Sequence, residues 1–167
     1  MINSNGSNYL SGGLGADQLV GSYVPSATED QVTSADIFAF DEISFGAIAI
    51  KHKSSKKRSS GNARSAPQPT SFGEANCDII TNFASLQGDK IGVSFSSFKT
   101  DAIRFKSVSA ISELSDAFAS DSNFIYDQST GSLFYNQNGT AQGVGNGGVF
   151  AKFEGNPTLA ASDFTLI

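Results

Sequence analysis

Apolar residues in this chain fall in short runs broken by Gly, Asn, Ser and Asp, the pattern of strands joined by turns. Residues 37–50, IFAFDEISFGAIAI, form an apolar strand-like stretch. Residues 78–98, DIITNFASLQGDKIGVSFSSF, hold two short apolar strands around a GDK turn. Residues 123–136, NFIYDQSTGSLFYN, read as a hairpin: FIY, a turn across 127–131, then LFY. Residues 136–148, NQNGTAQGVGNGG, read as a Gly/Asn loop. In VFAKFEG, Val149, Ala151 and Phe153 alternate with their neighbours, as a half-buried strand requires. Residues 108–120 carry helical spacing: Ile111, Leu114 and Phe118 follow i, i+3, i+7, with Ser109 or Ser112 placed to cap. The pattern predicts a mainly β fold with one short helix.

A finer period runs through the first forty residues. Residues 12–20 read GGLGADQLV, and the nine residues before them echo it. Gly6 aligns with Gly15, Asn8 with Asp17 and Leu10 with Leu19, each at an offset of nine. A third copy survives as its end, SADIFAF, with Ser34, Asp36 and Phe38 on the Gly, Asp and Leu positions. Asp17 and Asp36 are 19 residues apart, one more than two repeats, so the spacing pairs them on one side of a stack. The segment between contains Pro25 and reads as a loop replacing a degraded turn.

Composition sharpens this picture. With 167 residues the chain is long enough for one domain with a core. It holds 14 Phe, no Trp and 17 Gly, which disfavours a helical bundle. Six of the eleven basic residues (Lys51, Lys53, Lys56, Lys57, Arg58 and Arg64) lie in the low-complexity stretch 51–71. The rest of the chain is strongly acidic, with 16 Asp and Glu, an unsuitable surface for nucleic acid and a good one for divalent cations. The boundaries follow: 1–50 as a repeat-bearing roll and following strand, 51–71 as a basic loop, and 72–167 as a β-rich module, in one cooperative domain. A single cysteine, Cys77, excludes an internal disulfide and reads as a small buried hydrophobe. Residues 1–10, MINSNGSNYL, have neither the basic nor the apolar region of a secretory signal. No run approaches the ~18 apolar residues of a membrane-spanning helix.

The repeat has a chemistry. Glycines let backbone carbonyls approach one point and permit positive φ. The aspartate adds a hard carboxylate oxygen, and the large apolar residue two positions on points into a thin core. Calcium takes six to eight such oxygens at about 2.3–2.6 Å, so one turn supplies about half a site and a stacked turn the rest. The candidate ligand positions are Gly6, Asn8, Gly12, Gly13, Gly15, Asp17 and Asp36. With so few intact copies, one or two Ca2+ ions are expected.

Gly12, Gly13, Gly15, Asp17 and Leu19 match all five defined positions of the RTX, or hemolysin-type, calcium-binding repeat, which this stretch resembles. SADIFAF looks like the end of the repeat array in serralysin-type C-terminal domains. DIITNFASLQGDKIGVS is similar to the segment that follows it there. FIYDQSTGSLFYNQNG resembles the terminal hairpin of many bacterial, especially cyanobacterial, RTX proteins, and LAASDFTLI resembles their C-terminal end. The resemblance covers nearly the whole chain outside 51–71. It implies a short parallel β-roll packed on a β-rich capping module. It also implies secretion by a type I machinery that reads an uncleaved C-terminal signal; Asp163, Phe164, Leu166 and Ile167 match that tail, and Thr165 fits least. Asn136 and Asn138 stand where relatives often have aspartates, which makes a turn the better reading there.

The expected function is that of a secreted, extracellular calcium-binding domain, stabilised by Ca2+ outside the cell. No enzyme activity is expected: the one histidine, His52, lies in the basic loop, and a zinc protease helix needs two. The alternatives are a surface module binding anionic polysaccharide through residues 51–58, or the detached C-terminal part of a larger secreted enzyme. Neither nucleic acid nor a membrane span is expected among its partners.

Overall fold

The computed structural model describes residues 6–22, 35–43 and 76–167. The large apolar residue of each repeat copy sets the architecture, because strands this short must bury one side chain each to persist. Strand β1 is Tyr9–Ser11, β2 Gln18–Val20 and β3 Ile37–Phe40. Leu10, Leu19 and Phe38, aligned by the nine-residue offset and the SADIFAF copy, are all buried in one cluster. Strand β4 is Asp78–Thr81 and β5 Lys90–Val93; Ile80 and Ile91 join the same cluster. Each such side chain contributes about 1.5–3 kcal/mol on burial.

These five strands alternate between two sheets. β1, β3 and β5 are parallel neighbours in one sheet, and β2 and β4 are parallel neighbours in the other. The chain then adds β6 (Phe105–Val108), β7 (Phe124–Asp127) and β8 (Ser132–Tyr135) to the second sheet. It resumes the alternation with β9 (Gly148–Phe153) beside β4 and β10 (Phe164–Leu166) beside β5, both parallel. The four-stranded sheet is therefore ordered β1-β3-β5-β10 and the six-stranded sheet β2-β4-β9-β8-β7-β6. The fold is mainly β, and strands from both sides of residues 51–71 share each sheet.

The expected hairpin is present: β7 and β8 pair antiparallel, and the Gly131 N–H closes the turn on the Asp127 carbonyl at 2.8 Å. The turn is tight, since a Cβ on Gly131 (φ +74°) would stand 2.4 Å from the Phe153 carbonyl oxygen. The two strands around GDK also form, but they enter different sheets. The tail is an edge strand, β10.

Three expectations need correction. The helical spacing at 108–120 yields a 3-10 turn at Ile111–Glu113 followed by helix α2, Leu114–Phe118. Leu114 and Phe118 are buried but Ile111 is exposed. Neither serine caps it; instead the Glu113 carboxylate accepts the Ser109 N–H at 2.9 Å. A second helical turn, α1, forms at Phe95–Phe98, where Phe98 packs edge-on to Phe124, Tyr135 and Phe150. Strand β9 is buried on both faces, not one. Phe150, Ala151 and Phe153 join the inter-sheet core, while Val149 joins a second cluster with Cys77, Leu114, Phe118, Ile125 and Phe134. Strand β3 ends at Phe40, and residues 44–50 lie outside the described part. Cys77 is buried, as expected.

Candidate functional site

Each strand of the alternating series is entered in the same way. In the first five strands an Asp or Asn stands immediately before the strand, or in β4 as its first residue, and the buried apolar residue follows two positions later. The pairs are Asn8/Leu10, Asp17/Leu19, Asp36/Phe38, Asp78/Ile80 and Asp89/Ile91. Because neighbouring strands are parallel and in register, the acidic positions line up in two rows. Tyr9 pairs with Ile37 and Ile37 with Lys90, so Asn8, Asp36 and Asp89 form one row. Gln18 pairs with Ile79, so Asp17 and Asp78 form the other.

The first row is a hydrogen-bonded staple. One oxygen of Asp36 accepts from the Asn8 backbone N–H and side-chain amide, both at 3.0 Å, and the other accepts the Ser22 N–H at 2.7 Å. Asp36 in turn donates its own N–H to Asp89 at 2.9 Å, and the second Asp89 oxygen accepts from Ala84 at 2.9 Å. The Gly6 carbonyl accepts from the Asn8 amide and the Ser22 hydroxyl. Burial pushes the Asp89 carboxyl up to about 6; the two N–H donors pull it down and the neighbouring Asp36 charge raises it. Both oxygens of Asp36 are taken by amide donors, so this row does not fit a cation site of the expected kind.

The second row is different. Asp17 donates its N–H to Asp78 at 3.0 Å, and its carbonyl accepts from Ile79 at 2.8 Å. Among the described residues, no N–H or O–H donates to the Asp17 carboxylate. That carboxylate lies over the glycine turn. A Cβ on Gly12 would stand 2.8 Å from the Asp17 Cβ and 3.0 Å from Oδ2, and one on Gly15 3.7 Å from Oδ2. Gly13 and Gly15 have φ of +78° and +132°, conformations that L side chains avoid. Burial pushes the Asp78 carboxyl up to about 6, with the Asp17 N–H lowering it and the Asp17 charge raising it.

The structure thus brings Gly12, Gly13, Gly15 and Asp17 together, and separately Gly6, Asn8 and Asp36. It does not bring Asp17 to Asp36. They head β2 and β3, which belong to different sheets, and residues 23–34 between them lie outside the described part. The partners that residue counting missed are Asp78 for Asp17 and Asp89 for Asp36. The repeated Asp-x-apolar spacing was the signal for both.

Calcium takes carboxylate and carbonyl oxygens, and the second row offers the Asp17 carboxylate, the neighbouring Asp78 carboxylate and the backbone of a glycine turn. No described group gathers three or more His, Cys, Asp or Glu side chains, so carbonyl oxygens would supply most of the shell. Residues 71–75, which precede Asp78 as 12–16 precede Asp17, lie outside the described part, as do residues 51–58 and His52. Among the described residues, no helix is long and apolar enough to cross a membrane. Comparison with protein-family models, curated proteins and solved structures found no match.

Proposed function

We propose that this chain is a non-enzymatic, secreted domain of RTX type, a short β-roll that Ca2+ stabilises outside the cell. The observation that supports it is the Asp17 carboxylate, held over the 12–15 glycine turn in register with Asp78. Asp17 and Asp78, with carbonyls of the glycine turn, would hold the ion. Bound calcium supplies positive charge between two carboxylates that otherwise repel. The chain's own part is to fix the turn: glycine admits the carboxylate, the Asp17 N–H orients Asp78, and Leu19 anchors the strand in the core.

The C-terminal tail belongs to the same reading. Asp163 is buried and accepts from Ala160 at 2.8 Å and from the Ser85 hydroxyl. A type I machinery would therefore read this tail before the domain closes, and calcium outside would favour closure. Sites of this extracellular kind bind at about 10⁻⁴–10⁻³ M. At ten times Kd, binding exclusive to the folded state adds about 1.4 kcal/mol. For a domain near this size that raises Tm by about 3–5 °C. Melting in calcium against chelator tests it, and an identical Tm in the two would sink the reading.

A further inference from the structure

The loop that joins β8 to β9 holds two Asn–Gly pairs, Asn138–Gly139 and Asn146–Gly147. Such a pair has a chemistry of its own. The backbone nitrogen after an asparagine can attack the side-chain amide carbon, and glycine has no Cβ to hinder the approach. Exposure alone ranks Asn146 as the more reactive, since it is exposed and Asn138 is half-buried. The hydrogen bonds rank the two pairs the other way.

At the second pair the nucleophile is tied up. The Gly147 N–H donates to the Val144 carbonyl at 3.0 Å. The residue is also wedged in place, because a Cβ on Gly147 would stand 2.0 Å from the Tyr135 carbonyl oxygen. The Asn146 N–H is fixed in turn by the Gln137 side-chain oxygen at 3.0 Å. The Gly147 nitrogen cannot swing toward Asn146 without breaking the packing of the loop on β8.

The first pair has the opposite arrangement. Among the described residues, the Gly139 N–H has no acceptor. A Cβ on Gly139 would meet nothing within 4 Å, so there is room around it. The Asn138 side chain is loosely held. Its Nδ2 donates to the Gln142 carbonyl at 3.2 Å, the long end of the hydrogen-bond range, and its Oδ1 has no hydrogen-bond partner. Asn123 shows a firmly held amide in the same fold. Its nitrogen donates to Thr100 Oγ1 at 2.6 Å and the Ala102 carbonyl at 2.7 Å, and its oxygen accepts the Arg104 N–H at 2.8 Å. Turning Asn138 breaks one long bond, where turning Asn123 would break three short ones.

We propose that Asn138 is a site of spontaneous deamidation, with the Gly139 nitrogen as nucleophile. That nitrogen gives its proton to solvent and bonds to the Asn138 Cγ. The Cγ–Nδ2 bond breaks, and the nitrogen leaves with an added proton as ammonia. Water then opens the succinimide ring at either carbonyl. One opening leaves aspartate, and the other routes the main chain through the side chain as isoaspartate. Both products disturb the turn. A carboxylate has no N–H for the Gln142 carbonyl and sets a negative charge against it. Isoaspartate also adds a carbon to the main chain just before Gly139, whose carbonyl accepts from the Asn136 amide at 3.0 Å. The change is one-way, and it involves no residue of either acidic row.

Mass mapping of the full wild-type chain tests it. The chain is held folded in warm, mildly alkaline buffer, and a second sample is held in urea. Both are digested under acid conditions. In the folded sample Asn138 should convert several-fold faster than Asn146, with isoaspartate beside aspartate. In urea the two pairs should convert at similar rates. An Asn146 rate equal to or above that of Asn138 in the folded chain would overturn the proposal. Aspartate alone at 138, the product of direct hydrolysis, would overturn the role of Gly139. The same preference in urea would show that the fold does not set it. The converted chain carries one more negative charge and separates by ion exchange. In that fraction the Gln137 N–H, which donates to Val144 at 3.1 Å, should exchange faster with solvent, and unchanged exchange would overturn the loosening of the turn.

Discussion

The two rows of acidic residues are built from the same local sequence and are hydrogen-bonded differently. In the row of Asn8, Asp36 and Asp89, amide N–H groups fill the carboxylates, and each turn is tied to the next without any ion. In the row of Asp17 and Asp78, one N–H donates to a carboxylate, that of Asp78, and among the described residues the Asp17 carboxylate above the glycines receives none. The difference lies in what precedes each aspartate. Before Asp17 stands GGLGA, which folds back under the carboxylate. Asp36 instead meets Asn8 and Ser22 from neighbouring turns, both of which bring donors. A repeat of one pattern can thus carry one row whose Asp36 oxygens are filled by amides and one row whose Asp17 carboxylate receives no donor among the described residues.

The sharpest way to break this contrast is Asp36→Ala. It strands three donors in a buried place, and each unsatisfied buried group costs about 1–3 kcal/mol. A loss of about 4 kcal/mol in urea denaturation is expected, equal in calcium and in chelator. A loss that calcium repaired would place the ion at the wrong row.

The pH dependence separates the rows next. Asp78 and Asp89 both have carboxyls raised to about 6 in the fold, against about 4 unfolded. Groups raised in this way favour the protonated fold. Their contribution is fully present below about pH 4 and is lost as pH rises through about 6. In chelator, stability should therefore fall between about pH 4 and 6, by up to about 3 kcal/mol for each group. Asp78→Asn should remove about half of that slope at little cost, since one side-chain oxygen suffices to accept from Asp17. Calcium should flatten the share of Asp78 and leave that of Asp89. A slope untouched by both calcium and Asp78→Asn would contradict the division.

Gly12→Ala has a more moderate effect. Its Cβ would meet the Asp17 side chain at 2.8 Å, and relieving such a contact costs about 1–3 kcal/mol. The displaced carboxylate should also weaken calcium binding. Calorimetric titration beside a urea melt reads both effects, and unchanged binding would show that the Asp17 position is not what the ion needs.

Much of this arrangement was legible in the chain and some was not. The nine-residue offset and the SADIFAF copy placed Leu10, Leu19 and Phe38 in one core, because each copy carries its large apolar residue at the same position of the strand. The same arithmetic misplaced Asp36. Counting residues does not say which sheet a strand joins, and Asp17 and Asp36 head strands of different sheets. The double burial of β9 was hidden because the elements covering its outer face lie elsewhere in the sequence.

The smallest expected effect is the most discriminating. Asp17→Asn keeps the shape of the side chain and the N–H to Asp78. In chelator it removes a carboxylate that receives no donor among the described residues and repels Asp78. The variant should therefore match the wild type there within about 0.5 kcal/mol, the range of a surface change. In calcium at ten times Kd the wild type gains about 1.4 kcal/mol by mass action, and the variant should lose most of that gain. The pair of measurements matters more than either alone. A residue that only staples the fold weakens it with or without the ion, as Asp36 should. A residue that only holds the ion is silent until the ion arrives. If Asp17→Asn destabilised the chain equally in both conditions, the open carboxylate would be one more staple, and the two rows would differ in geometry but not in role.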